Sequence, residues 1–229
     1  MPQEAFTFER DYVRRLKLNY LRYLPRLYGS APNQKWPVIL FLHGAGERGS
    51  NLDLIYKHGI PKVAETLDLP FVALSPQCPL NHWWSDFIPV LDDLIAQVQT
   101  TLDIDPQRVY LTGLSMGGFG AWHLAVEHPE RFAAVAPICG GGAWAYGVRE
   151  RIGAIKDIPA WVFHGGADDV VPLWESQVMV DALKGCGGDV RLTVYPGVGH
   201  DSWSETYLNP ALYEWFLNHP KGGQAGLPS

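Results

Sequence analysis

The sequence predicts an α/β fold: a mostly parallel central sheet with helices on both faces. Three observations carry that prediction. Continuous apolar runs such as "PVILFLHG" (37–44) close on a glycine, as strands buried on both faces do. Between these runs lie longer segments whose apolar residues recur at spacings of three and four. The 229 residues are 47% hydrophobic and 18% charged, enough material for one large core and too few charges for a disordered chain. A parallel crossover needs a covering element, and the alternation of runs and periodic segments supplies one each time.

In chain order, "RLKLNYLRYLP" (15–25) alternates and reads as a half-exposed early strand, followed by the buried strand of residues 37–44. "FVALSP" (71–76) and "RVYLTGLS" (108–115) are two more buried strands, separated by a helix over "FIPVLDDLIAQVQTTL" (87–102). A second helix, "GFGAWHLAVEHPERF", stops near Pro129. The strands "FAAVAPICG", "PAWVFHG" and "VRLTVYPG" follow. The helix "PLWESQVMVDALKGCGG" precedes the last of them and stops at its glycine cluster; the final helix is "NPALYEWFLNH". No repeat or linker divides the chain. It reads as a single domain over 1–229, with a flexible tail from about residue 220.

A formal net charge of −6 and a pI near 5.7 argue against a nucleic-acid groove, which needs clustered Lys and Arg. No run is long and apolar enough for a membrane span, and "MPQEAFTFERDYVRR" lacks the pattern of a secretory signal. The expectation is a cytoplasmic protein; a mature secreted chain or an excised domain would read the same way. Cys78, Cys139 and Cys186 have no metal-site spacing and are expected as buried free thiols, with no metal and no cofactor.

The chemistry is concentrated at "YLTGLSMGGFGAWHLA" (110–125), where a strand turns into a helix around Ser115. So sharp a reversal crowds neighbouring backbones, and Gly113 and Gly117 relieve the crowding at both second neighbours. The serine hydroxyl is then held at the sheet tip, with a helix N-terminus behind it. Such a serine needs a base, and the base an orienting acid. Both belong at the carboxyl ends of later strands, where an open α/β sheet places its site. "PAWVF" runs into "HGGADDVVP", presenting Asp168 and Asp169, and "VRLTVYP" runs into "GVGHDSW", presenting His200. Ser115, one of the two aspartates, and His200 form a candidate catalytic triad in the order Ser, Asp, His.

Backbone donors for an oxyanion complete the set: the N–H of Met116, next after the serine, and one from "HGAGERGS" after the first buried strand. Ala45 is the choice there, with Gly44 and Gly46 as neighbours; His43 reads as a structural strand-end residue. Trp83, Trp84, Trp144 and Trp203 fall near the expected site and offer flat apolar walls for an aryl or aliphatic acyl group.

On these residues the chain resembles the α/β-hydrolase superfamily. Within it, the chain more closely resembles compact bacterial serine esterases of the carboxylesterase/phospholipase, dienelactone hydrolase-like and feruloyl esterase-like branches. The matching segments are "HGAGERGS", "LSPQCP" with "WWSD", "GLSMGGFGAW", "HGGADDVVP" and "GVGHDSW". The resemblance implies an α/β-hydrolase fold and selects Asp168, four residues after the motif histidine, over Asp169. Ser115 stands where dienelactone hydrolases carry cysteine, which counts against that narrow activity. The segment from Gly140 to Ile158 is too short for a large lid, so an open cleft for small soluble esters is expected. Three other readings compete: a peptidase or amide hydrolase with the same triad, a thioesterase, and a non-catalytic binding module on the same fold. Composition is silent on oligomeric state.

Overall fold

The computed structural model describes residues 3–11, 13, 15–143 and 147–222. Its centre is a seven-stranded sheet in the order β1-β3-β2-β4-β5-β6-β7. The strands are β1 (Asn19–Tyr23), β2 (Trp36–Leu42), β3 (Val72–Gln77), β4 (Ile104–Leu114), β5 (Ala134–Ile138), β6 (Ala160–Gly165) and β7 (Val190–Tyr195). Only β1 runs antiparallel, against β3; the other pairings are parallel.

Side-chain alternation along buried strands builds two cores. In β2, Val38, Leu40 and Leu42 join one cluster, whereas Ile39 and Phe41 join the other. The first cluster packs beneath α2 (Ile88–Thr101), α3 (Met116–Glu127) and α4 (Trp174–Gly185). The second packs beneath α1 (Gly59–Val63), α5 (Trp203–Leu208) and α6 (Pro210–Leu217). Both faces of the central sheet are thus covered, which is why β2 and β5 are apolar at every position and show no polar alternation. Among the described residues no helix is long and apolar enough to cross a membrane.

The structure departs from the sequence reading at particular places. Strand β4 begins at Ile104, four residues before the expected start, because Ile104 pairs with Trp36 ahead of a register shift. Helices α1 and α5, of five and six residues, were not anticipated, being too short to show a period. Cys78 and Cys139 are buried, but Cys186 is exposed, correcting the expectation of three buried thiols. It caps the C-terminus of α4, where its backbone is needed at the turn and its side chain is not. Much of the expected C-terminal tail, residues 223–229, lies outside the described residues.

The order of strands locates the site. From β2 the chain crosses outward to β3, then back past β2 to β4, so the direction of winding reverses between β2 and β4. At such a switch point the loops leaving adjacent carboxyl ends part and open a crevice. These two loops carry His43-Gly44-Ala45 and Ser115.

Candidate active site

A single residue, Ser115, separates the end of β4 from the start of α3, and its backbone takes φ 52° and ψ −117°. Few side-chain-bearing residues adopt such angles. The Ser115 N–H donates to the Ile138 carbonyl at 2.9 Å, and the Ser115 carbonyl accepts from the Phe119 N–H at 3.1 Å, which locks the turn. A Cβ at Gly117 would lie 1.9 Å from the Leu42 carbonyl oxygen, and one at Gly113 would lie 2.3 Å from the Gly117 oxygen. Only glycine permits these backbones to touch.

The acid is placed by backbone as well. Asp168 follows β6 with its side chain fully buried, and its Oδ1 accepts the N–H groups of Val170 and Val171, each at 2.9 Å. Its Oδ2 accepts from His200 Nδ1 at 2.7 Å. Asp169 is exposed. His200 sits on the loop after β7, and that loop is bound to the Asp168 loop: Gly166 N–H donates to the Tyr195 carbonyl and Ala167 N–H to the Val198 carbonyl. The approach is so close that a Cβ at Gly165 would meet the Gly199 oxygen at 2.0 Å.

His200 Nε2 lies 2.9 Å from Ser115 Oγ. The proton positions follow from the partners. A carboxylate oxygen only accepts, so Nδ1 carries the hydrogen, and the bare Nε2 accepts the serine hydroxyl. An imidazole in this tautomer can take the serine proton as the oxygen attacks a carbonyl. The edge of Trp203 meets the His200 ring at 5.2 Å and 90° and fixes its plane. Beneath the pair, a Cys139 sulfur, an Asp168 oxygen and a His200 nitrogen lie within 4.8 Å of one another. Burial pushes the Cys139 thiol up to about 12, so it stays protonated and does not compete as a nucleophile.

Ala45 opens a 3-10 turn and Met116 opens α3, positions whose N–H groups have no partner inside their own helix. Both residues line, with Ser115, a cavity of about 500 Å³. Trp83, Trp84 and Phe119 supply aromatic wall, and Val148, Val170 and Val171 add aliphatic lining. Trp83 is 51% exposed at the mouth, with the Arg48 guanidinium 5.2 Å over its ring. Trp84 is buried, its indole N–H donated to the His43 carbonyl at 2.9 Å. Trp203 packs on His200 and lies outside the cavity wall, and Trp144 lies outside the described residues. His43 is buried: its Nδ1–H donates to the Gly44 carbonyl and its Nε2 accepts the Cys78 N–H. Burial pushes its imidazole down to about 4.

Two groups at the site escaped the sequence reading. The Val170 and Val171 N–H groups that hold Asp168 belong to residues with no polar side chain, so nothing in their identity marks them. His164, the motif histidine four residues before Asp168, is a fully buried polar residue near the end of an apolar strand, a mismatch that marks it for a role beyond its place in the motif.

A family model described as "Putative esterase" matches residues 15–202. A poly(3-hydroxyoctanoate) depolymerase of Pseudomonas fluorescens is 28% identical over 220 residues, covering 84% of this chain and 77% of that protein. Acyl-protein thioesterase 1 of Gibberella zeae is 28% identical over 217 residues, covering 76% of this chain and 88% of the relative. Among solved structures, a thermostable esterase aligns with TM-score 0.77 at 35% identity over 90% of this chain; the chain spans 60% of that structure's length.

Proposed function

Since this chain belongs to the esterase family, we propose that it hydrolyses carboxylic esters through an acyl-enzyme on Ser115. The observation that carries the reading is the continuous line from Ser115 Oγ through His200 to the buried Asp168, at 2.9 and 2.7 Å, opening on an apolar cavity. His200 takes the Ser115 proton as Oγ bonds to the ester carbonyl carbon. Asp168 holds the ring tautomer and stabilises the imidazolium. The N–H groups of Ala45 and Met116 receive the oxyanion, each worth about 3 kcal/mol in a dry site. His200 then protonates the departing alcohol, and water releases the acyl group by the same steps in reverse.

Acyl groups of aryl or short to medium aliphatic kind fit a cavity of about 500 Å³ with aromatic walls. Thioesters are the second reading, favoured by the thioesterase relative and compatible with the same geometry. The test is a panel of 4-nitrophenyl acetate, 4-nitrophenyl octanoate, a hydroxycinnamoyl ester and an octanoyl thioester, run on wild type and Ser115→Ala. Hydrolysis in the wild type alone, with a phosphonate adduct confined to Ser115, is expected. Ester turnover persisting in Ser115→Ala overturns the assignment.

A further inference from the structure

The imidazole of His164, in β6, is fully enclosed, yet it has more polar neighbours than a neutral ring and its partner can satisfy. Its Nε2 lies 2.8 Å from the Val171 carbonyl oxygen and 3.3 Å from Asp168 Oδ2. Its Nδ1 lies 2.7 Å from Ser176 Oγ, which in turn lies 2.9 Å from the Gly140 carbonyl oxygen.

Proton counting selects one arrangement. Nε2 faces two oxygens that only accept, so a bare nitrogen there would set three lone pairs against one another; the hydrogen must sit on Nε2. In a neutral ring Nδ1 is then the acceptor, and Ser176 donates its hydroxyl to it and leaves the Gly140 carbonyl. Burial holds the imidazole below its ordinary value and keeps it neutral, against the opposing pull of Val171 and Asp168. The tautomer of His164 is thus fixed from the Nε2 side, by the Val171 carbonyl and Asp168, and Ser176 serves the nitrogen left bare.

We propose that His164 is a positioning residue: its Nε2–H, wedged between the Val171 carbonyl and Asp168 Oδ2, sets the orientation of the carboxylate that aligns His200. Asp168 then lies between two imidazoles. Two backbone N–H groups hold Oδ1, His200 hydrogen-bonds Oδ2, and the His164 Nε2–H approaches Oδ2 at 3.3 Å, so both oxygens of the carboxylate are engaged. A histidine serving only the core would be complete with Val171 and Ser176; the approach to the acid is the additional feature.

The N–H beside Oδ2 also withdraws negative potential from the face that His200 sees. Without it, Asp168 stabilises the His200 imidazolium more strongly, and activity fails at a higher pH. The groups facing His200 are Asp168, Ser115, the Trp203 edge and the Cys139 thiol, and none of the other three changes when His164 is altered.

The inference rests on the ester-hydrolase reading, and its test separates the two. Initial rates on 4-nitrophenyl acetate are followed between about pH 5 and pH 9 for wild type, His164→Asn, His164→Gln and Ser176→Ala, alongside thermal unfolding of each. His164→Asn, which cannot reach Oδ2, is expected to lower kcat on the order of tenfold to a hundredfold with KM nearly unchanged. Its acid limb should move up by about half a pH unit. His164→Gln, whose amide reaches the Nε2 position, should recover most of the rate and restore the limb. Ser176→Ala, which leaves the ring in place and is the fallback where His164→Asn does not fold, should shift the limb in the same direction by less. An unmoved acid limb in the folded variants, or losses in Asn and Gln that track thermal stability alone, overturns the positioning role while leaving the hydrolase reading standing. Absence of Ser115-dependent turnover in the wild type removes both.

Discussion

Replacing Ser115 with glycine separates the strain of the strand-to-helix turn from its chemistry. With φ 52° and ψ −117°, Ser115 lies far from the left-handed helical region that ordinary residues can visit, where ψ is about +30° to +60°. Holding a side-chain-bearing residue there costs about 1–3 kcal/mol. Ser115→Ala keeps the Cβ, and with it the strain, and loses the 2.9 Å hydrogen bond to His200. Ser115→Gly loses the same bond and releases the strain, so the difference between the two variants isolates the backbone. Taking about 2 kcal/mol for strain and about 0.7 kcal/mol for the extra freedom of unfolded glycine leaves the glycine variant ahead by about 1.3 kcal/mol. For a chain of this size that is a Tm higher by about 4 °C. Thermal unfolding by circular dichroism and urea titration of both variants measure it, and both should be inactive on esters. A glycine variant that melts at or below the alanine variant would refute the claim that the turn is strained.

Asp168→Asn should lower kcat about 10⁴-fold by favouring the wrong tautomer of His200, whereas Asp169→Asn, at an exposed position, should stay within about twofold; steady-state kinetics on one activated ester decides. Gly117→Ala drives a Cβ to 1.9 Å from the Leu42 oxygen and should destabilise by about 3 kcal/mol. Gly185→Ala, at the end of α4 with nothing within 4 Å, should stabilise by about 0.5–1 kcal/mol, and paired urea titrations compare the two. Acid should destabilise the fold through His43, whose ring is pushed down to about 4 from an ordinary 6.5, so that the unfolded chain binds a proton the native state refuses. That contribution is complete above about pH 6.5 and is lost as the pH falls towards 4, by up to about 3 kcal/mol; His43→Gln should flatten the stability profile over that window.

The strands were legible because burial on both faces writes itself into residue identity. Val38 to Leu42 are apolar at every position for the reason that alternate members face different cores. The turn at Ser115 was legible because glycines two residues to either side have few other uses there. Short helices α1 and α5 were not, since five or six residues do not define a period and their packing against the sheet decides them. At the site, "HGGADDVVP" offered two adjacent aspartates of equal chemistry, and the family resemblance, not the residues themselves, favoured the first. What separates them physically is the turn of the chain, which buries Asp168 against the Val170 and Val171 N–H groups and leaves Asp169 in water.

By itself, then, the sequence determined which residue types stand at the strand ends and that those ends belong to one sheet. Its local chemistry, a crowded turn here and a glycine loop there, acts over a few residues and leaves a mark at each. Only the tertiary structure decided which of those ends touch. The sequence separations of 85 from Ser115 to His200, and of 32 from Asp168 to His200, are closed by strand order and by loop backbones packed within contact of each other. Distance in space is a property of the whole packed sheet, and no single segment encodes it.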